Sequence, residues 1–394
     1  MPDADYLILG AGPAGCRAAQ AIRKRDRSGR IAILTEETAP FTNRIILSKE
    51  FLTQDELALE RAFVLQSEAF RAMGIDLRTR TRVERLDPET RTVELAGGDR
   101  LAYDRCLIAT GSRPLELPVP GFRLPGVHTL RTVEDAEALR LRARDAERAI
   151  IIGGGLIGAE IACALTTRGL GVTLLAREEW LWGHLAPEPV GRAVGQALEQ
   201  GGVELRMERT VMAIRMVGGE LAVETAGGEE LRASLVVAGV GVRYNVEFLD
   251  GSGLLEPGRG VRVNERLETD AADLCAAGDV AAFADPVFNS RHHVEHWLHA
   301  QHQGRLAGEN MTGARNVYAR VSWYDTRLFD LAVIVVGAPE LALRWSVEEP
   351  FVGGRGVALG WRGERLVAAY RLGPGWPIDE IARRIEAGAE PAQR

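Results

Sequence analysis

Only four cysteines occur in the 394 residues, Cys16, Cys106, Cys163 and Cys275, and no two of them form a C-x-x-C pair. Each stands in apolar or small-residue surroundings, the usual setting of a free thiol that packs as a small apolar side chain. This excludes a redox relay through two neighbouring thiols. No apolar run approaches the roughly 20 residues of a membrane-crossing helix, so no membrane span is expected. Positive charge is also short: 48 Lys and Arg against 55 Asp and Glu leave a net charge of −7. There is thus no basic footprint for nucleic acid, although a local patch for an acidic protein partner is compatible with the balance. Met1-Pro-Asp-Ala-Asp5 leads straight into a strand-like run with no signal or transit pattern, and the expected location is cytoplasmic.

Apolar residues make up 46% of the chain, enough for more than one hydrophobic centre, so two or three domains are expected. Two glycine fingerprints punctuate it, Tyr6-Leu-Ile-Leu-Gly10-Ala-Gly12-Pro-Ala-Gly15 and Ile150-Ile-Ile-Gly153-Gly-Gly155-Leu-Ile-Gly158. Each follows an apolar strand-like run and opens a small-residue helix. Gly10, Gly12 and Gly15, like Gly153, Gly155 and Gly158, allow a tight turn and close approach of backbone amides to a pyrophosphate at a helix N-terminus. Two such sites imply two dinucleotides, and hence hydride passage between a flavin and a nicotinamide held in one protein.

A longer repeat accompanies the fingerprints. Residues 92–111 align without a gap on 222–241, each reading as a hairpin turning at Gly-Gly followed by a buried strand that ends at a glycine, Gly111 or Gly241. These glycines are expected where a parallel sheet meets its nucleotide. The proline-rich run 113–121 and the stretch 242–245 read as linkers. The fold class is therefore α/β, with two Rossmann-like dinucleotide-binding domains, the second inserted in the first, and a small α+β C-terminal domain. The expected boundaries are 1–115 and 246–320 for the first domain, 116–245 for the inserted one and 321–394 for the last. A helix is expected from about Glu295 to Met311, strands at 331–336 and within 356–370, and a final helix over 378–386.

Further motifs carry a resemblance along nearly the whole chain: Pro40-Phe-Thr-Asn-Arg44-Ile-Ile-Leu-Ser48-Lys49, Ala109-Thr110-Gly111, Ala277-Gly278-Asp279, Glu295-His296-Trp297 and 304–313. With the fingerprints, they resemble the FAD-dependent pyridine nucleotide oxidoreductases that lack a redox disulfide. That branch includes ferredoxin and rubredoxin reductases, nitrite reductase flavoproteins and apoptosis-inducing factor. The resemblance implies FAD at the first fingerprint, with Gly10, Gly12 and Gly15 at the pyrophosphate and Glu36, or Glu37 one register on, at the ribose. Arg44, Thr110, Gly111 and Gly278 fall in the same motifs. Asp279 is similar to the residue that binds the ribityl chain; as a residue type it also suits a helix N-cap. The helix opening near Glu295, His296 and Trp297 would aim its dipole at reduced flavin. Trp297 reads either as core or as an aromatic wall beside flavin and nicotinamide. The five histidines of 292–302 lack the companions of a metal site, and no metal is expected.

Lys49 matches the position that faces flavin N5 in this family, and Glu160 the position of its carboxylate partner; as a residue type Lys49 is otherwise a surface charge. The second site, with Gly153, Gly155, Gly158 and Gly241, implies NAD(P)H. At the end of the strand Val172–Leu175 the expected ribose-binding acid is replaced by Ala176, and Arg177 follows, which favours the 2′-phosphate of NADPH. Glu178 and Glu179 favour NADH. The segment 41–52 lacks the single cysteine of related NADH oxidases and peroxidases. The resulting expectation is an NAD(P)H oxidoreductase, monomeric or homodimeric, that passes electrons from FAD to a ferredoxin- or rubredoxin-type carrier. The alternatives are an NAD(P)H:quinone or dye reductase, and a redox-sensing interaction protein akin to apoptosis-inducing factor.

Overall fold

The computed structural model describes residues 2–388 and contains two compact units, one made of 1–43, 63–113 and 243–320 and the other of 44–62, 114–242 and 321–394. In the first unit, strand Ala4–Leu9 lies between Ile31–Leu34 and Arg100–Ile108, parallel to both, with Ile8 in register with Ile33 and Leu107. Ile75–Arg78 extends this parallel sheet at one side and Leu274–Ala276 at the other. Leu7, Ile8 and Leu9 are wholly buried, as a continuous apolar run requires when both faces of a sheet are covered. Helices Pro13–Arg25 and Trp297–Met311 pack together closely. A Cβ at Gly304 would lie 2.0 Å from the Ala14 carbonyl oxygen, and one at Gly308 2.4 Å from that of Ala18, so only glycine permits the approach.

The second unit repeats the scheme. Strand Arg148–Ile152 lies between Gly171–Leu175 and Leu235–Ala238, again in parallel, with Glu204–Arg206 and Val127–His128 at the edges. The repeated hairpins both turn through left-handed glycines, Gly97 and Gly98 in one and Gly228 in the other. In the first repeat the return strand Arg100–Ile108 runs unbroken into the parallel sheet; in the second it divides into Glu230–Ala233 and Leu235–Ala238. The last part of the chain forms a five-stranded antiparallel sheet of Trp323–Leu328, Leu331–Gly337, Arg365–Leu372, Arg355–Arg362 and Arg344–Val352, followed by helix Ile378–Glu386.

The units break near the expected linkers but differ from the expected domains in two respects. Residues 44–62, placed with the first fingerprint by sequence, fold with the second unit. Phe51 and Leu52 are fully buried there, the Arg168 guanidinium donates to the Leu52 carbonyl at 2.9 Å and pairs with Asp55 at 2.9 Å, and Arg140 lies 3.9 Å over the Phe51 ring. The C-terminal sheet, expected to stand as a domain of its own, shares one apolar core with the helices of the second unit: Leu328, Val333, Val335 and Tyr370 cluster with Ile161, Leu165, Val190 and Val194.

Candidate functional site

The two fingerprints share one geometry. Gly10 and Gly153 have φ of +112° and +116°, and a Cβ on either would lie 2.2 Å from a carbonyl oxygen of the adjoining strand's extension, that of Ala109 or Gly239. Gly15 and Gly158 would each place a Cβ 2.0 Å from the carbonyl of the first glycine of its own motif. The middle glycines differ. Among the described residues, a Cβ at Gly12 would meet no atom within 4 Å, and one at Gly155 only the Gly239 oxygen at 3.9 Å. Protein packing therefore dictates the outer glycines, whereas the middle one guards space outside the protein. Gly12 and Gly155 are also the N-caps of their helices, neither with a side-chain cap. The first-turn amides are thus left to an anion, and the cradle fits a pyrophosphate at both sites.

Around the first cradle, Glu36 is exposed and Glu37 half-buried just past the strand Ile31–Leu34. Thr110 and Asn245 clasp each other, Thr110 Oγ1 donating to the Asn245 carbonyl at 2.7 Å and Asn245 Nδ2 to the Thr110 carbonyl at 2.9 Å. Asp279 Oδ2 accepts from the buried Ser112 hydroxyl at 2.8 Å. The element after Asp279 is the strand Ala281–Asp285, so the helix N-cap alternative for Asp279 falls away. Gly278, at φ +82°, donates its amide to Gln303 Oε1 at 2.8 Å. Gln303 Nε2, fully buried, has no acceptor among the described residues.

The helix expected from Glu295 begins at Trp297, with His296 as N-cap. Glu295 is exposed and accepts the Tyr244 hydroxyl at 2.9 Å. Burial pushes His296 down to about 4, against the charge of Asp279, so the imidazole at this N-cap position is neutral at neutral pH. Trp297 is half-buried and stacks on the buried Phe41, ring centroids 5.5 Å apart at 17°. His292 pairs with Asp285 at 2.9 Å, and His299 with the Tyr318 hydroxyl at 3.1 Å, in a cluster around Phe283. All four cysteines are free and buried, burial pushing Cys163 and Cys275 up to about 12, so none offers a thiolate at neutral pH.

In the second unit, the segment 44–62 carries Arg44 in a short 3-10 helix, Arg44–Ile46, and then Ser48 and Lys49. Lys49 Nζ lies 3.2 Å from Glu160 Oε1. Glu160, 7% exposed on helix Leu156–Thr167, also accepts the Ser48 hydroxyl at 2.5 Å and the Thr326 hydroxyl at 2.6 Å. Beside the second cradle, Ala176 is buried and the Arg177 side chain is 79% exposed, 3.7 Å from Glu178. A Cβ on Gly154 would lie 4.0 Å from Glu178 Oε2, which puts that carboxylate beside the glycine loop. Glu179 instead pairs with Arg192 at 3.1 Å. Gly241, at φ +111°, lies three residues beyond the end of the strand Leu235–Ala238 rather than at its end.

Sequence reasoning missed Ser48, Ser112, Gln303 and Thr326. Ser48 and Ser112 adjoin motif residues that were singled out, so adjacency was a usable signal. Gln303 likewise adjoins the motif 304–313, whereas Thr326 lies 166 residues from its partner and had no such signal. Among the described residues no helix is long and apolar enough to cross a membrane.

Residues 4–304 match the family described as pyridine nucleotide-disulphide oxidoreductase. The chain is 34% identical to the ferredoxin–NAD(+) reductase component of the anthranilate 1,2-dioxygenase system of Burkholderia cepacia, over 98% of this chain and 95% of that protein. It is 32% identical to rhodocoxin reductase of Rhodococcus erythropolis, over 87% and 81% of the two chains. Among solved structures, the covalent putidaredoxin reductase–putidaredoxin complex superposes with a TM-score of 0.92 at 26% identity, covering 98% of this chain and 94% of that one.

Proposed function

The chain belongs to the pyridine nucleotide-disulphide oxidoreductase family, and from that premise we propose that NADPH is its preferred hydride donor and that Lys49 and Glu160 act where the hydride passes. It is an FAD-dependent NAD(P)H oxidoreductase of the ferredoxin-reductase kind, with a small ferredoxin-type protein as electron acceptor. When bound, flavin takes two electrons as a hydride and releases them singly, which links a nicotinamide to a one-electron carrier.

The observation that carries this reading is the pair of open middle glycines, each on an uncapped helix N-terminus, in one chain with a half-buried lysine paired to a buried carboxylate. The amides beyond Gly12 hold the FAD pyrophosphate, and those beyond Gly155 that of the coenzyme. Asp279, which accepts from Ser112, would accept ribityl hydroxyls of a bound flavin. The helix opening at Trp297 turns its positive end to the reduced flavin, and the neutral His296 adds no charge of its own. The Trp297 ring, braced by Phe41, would shield a bound flavin from water. Lys49 commits part of its ammonium to Glu160, and its remaining donors would favour electron-rich flavin. Ala176 leaves the ribose end without its acid, and the exposed Arg177 guanidinium exchanges Glu178 for the 2′-phosphate.

The test is anaerobic stopped-flow. The holoprotein, reduced by NADPH, is mixed with a 2Fe–2S ferredoxin, a rubredoxin or a benzoquinone. Reoxidation by an iron–sulfur carrier at least as fast as steady-state turnover is expected. Reoxidation by quinone alone would make the protein a quinone reductase. A reduced complex that persists in air with an altered oligomeric state would make it a sensor.

A further inference from the structure

We propose that Thr326 is a positioning residue of the hydride-transfer site, holding Glu160 and through it the Lys49 ammonium, an inference that rests on the reading of Lys49 given above. Three stretches far apart in the chain meet on one carboxylate: Ser48 and Lys49 from the segment 44–62, Glu160 from helix Leu156–Thr167, and Thr326 from the first strand of the C-terminal sheet. Ser48 and Thr326 are each 2% exposed and Glu160 7%.

A carboxylate taken that far from water is costly to keep ionised unless its lone pairs are filled. One lysine cannot fill both oxygens. Ser48 occupies Oε2, while Thr326 shares Oε1 with Lys49. Both hydroxyls donate, because an ionised carboxylate only accepts, and such charge-assisted contacts are short and directional.

The choice of threonine also speaks for chemistry over packing. On strand Trp323–Leu328 the inward positions are Thr326 and Leu328, and Thr326 lies in register with the fully buried Val333. Valine has the same shape and would suit that apolar row, so the hydroxyl earns its place through Glu160. Without it, Oε1 is left to Lys49 alone. The ammonium is then drawn fully into the pair, and less of its charge remains for the flavin.

The experiment compares Thr326→Val, Thr326→Ser, Lys49→Met and the double variant Thr326→Val/Lys49→Met as FAD-loaded proteins. The readouts are the limiting rate of flavin reduction by saturating NADPH, the coenzyme Kd and the flavin midpoint potential. Thr326→Val is expected to slow reduction by about tenfold, the loss of one hydrogen bond to a charge. The potential should move negative and Kd should stay within about twofold. Thr326→Ser should recover rate and potential, and Thr326→Val should add nothing once Lys49 is gone. A Thr326→Val protein with wild-type rate and potential beside a slow Lys49→Met overturns the proposal. So does a defect that serine fails to rescue, since that indicates packing. A wild-type Lys49→Met would instead refute the reading of Lys49 itself. If Thr326→Val does not fold, Ser48→Ala removes the other hydroxyl and carries the same expectations.

Discussion

Gly155→Ala and Gly158→Ala are neighbouring changes of one hydrogen to one methyl, and the structure expects them to fail in opposite ways. At Gly158 the methyl would sit 2.0 Å from the Gly153 carbonyl oxygen. Backbone must move, so the cost falls on folding and should reach about 3 kcal/mol, the upper range of overpacking. At Gly155 the nearest protein atom is 3.9 Å away and φ is −81°. Alanine fits there, with a folding cost within about 1 kcal/mol because it is a poorer N-cap than glycine. The methyl instead occupies the space of the pyrophosphate. Losing one amide-to-phosphate hydrogen bond, worth about 1.5–3 kcal/mol, weakens coenzyme binding by about 10- to 150-fold. Calorimetric titration of the oxidised holoprotein with NADP⁺, beside urea unfolding and flavin content, separates the two effects. Gly155→Ala should stay within about 1 kcal/mol of wild-type stability and keep full flavin while losing coenzyme affinity. Wild-type affinity in that variant would remove the coenzyme from this cradle, and a matching loss in both variants would mean that the middle glycine is merely structural.

Two further expectations concern charge. Arg177→Ala should weaken NADPH more than NADH by a factor corresponding to about 1–3 kcal/mol, and Glu178→Gln, removing the carboxylate beside Gly154, should shift preference further toward NADPH; equal effects on the two coenzymes would rule out Arg177 as the phosphate ligand. His296, held at about 4 against an ordinary 6.5, makes stability depend on pH. The unfolded chain takes up a proton near pH 6.5 that the folded protein refuses until about pH 4, so this contribution is complete above pH 6.5 and lost as pH falls toward 4. The loss amounts to about 3 kcal/mol. Urea unfolding of wild type and His296→Gln between pH 7.5 and 4 should give a shallower decline for the variant, and parallel curves would contradict the burial argument.

What sequence disclosed and what it withheld divide along physical lines. The fingerprints were readable because each outer glycine answers a demand made by nearby backbone, at Ala109, Gly239 or the motif's own first carbonyl. The final helix, Ile378–Glu386, coincides with the segment expected over 378–386. The Gly-Gly hairpins were readable for the same local reason. The allegiance of 44–62 was hidden, since Phe51 and Leu52 announce that they will be buried but not against which sheet. Thr326 was hidden more deeply. In an alternating strand a threonine reads as ordinary β-propensity, and its acceptor lies 166 residues earlier in the chain. Glu178 and Glu179 looked equivalent until Arg192 claimed Glu179 and left Glu178 at the glycine loop.

The seam of Gly304 on Ala14 and Gly308 on Ala18 has a metric consequence. Both numbers advance by four, so the two helices run the same way, and their phase is locked by backbone contact rather than by side chains that could repack. Counting back from the seam, the helix beginning at Trp297 overhangs the one beginning at Pro13 by six residues, about 9 Å at the α-helical rise. The pair works as a ruler that fixes the two N-termini at a set separation along the helix axes. Adding or removing one residue between Trp297 and Gly304 would leave the seam intact yet shift the outer N-terminus by about 1.5 Å and swing Trp297 by about 100° around the axis. The length of those first two turns is therefore under tighter constraint than their composition.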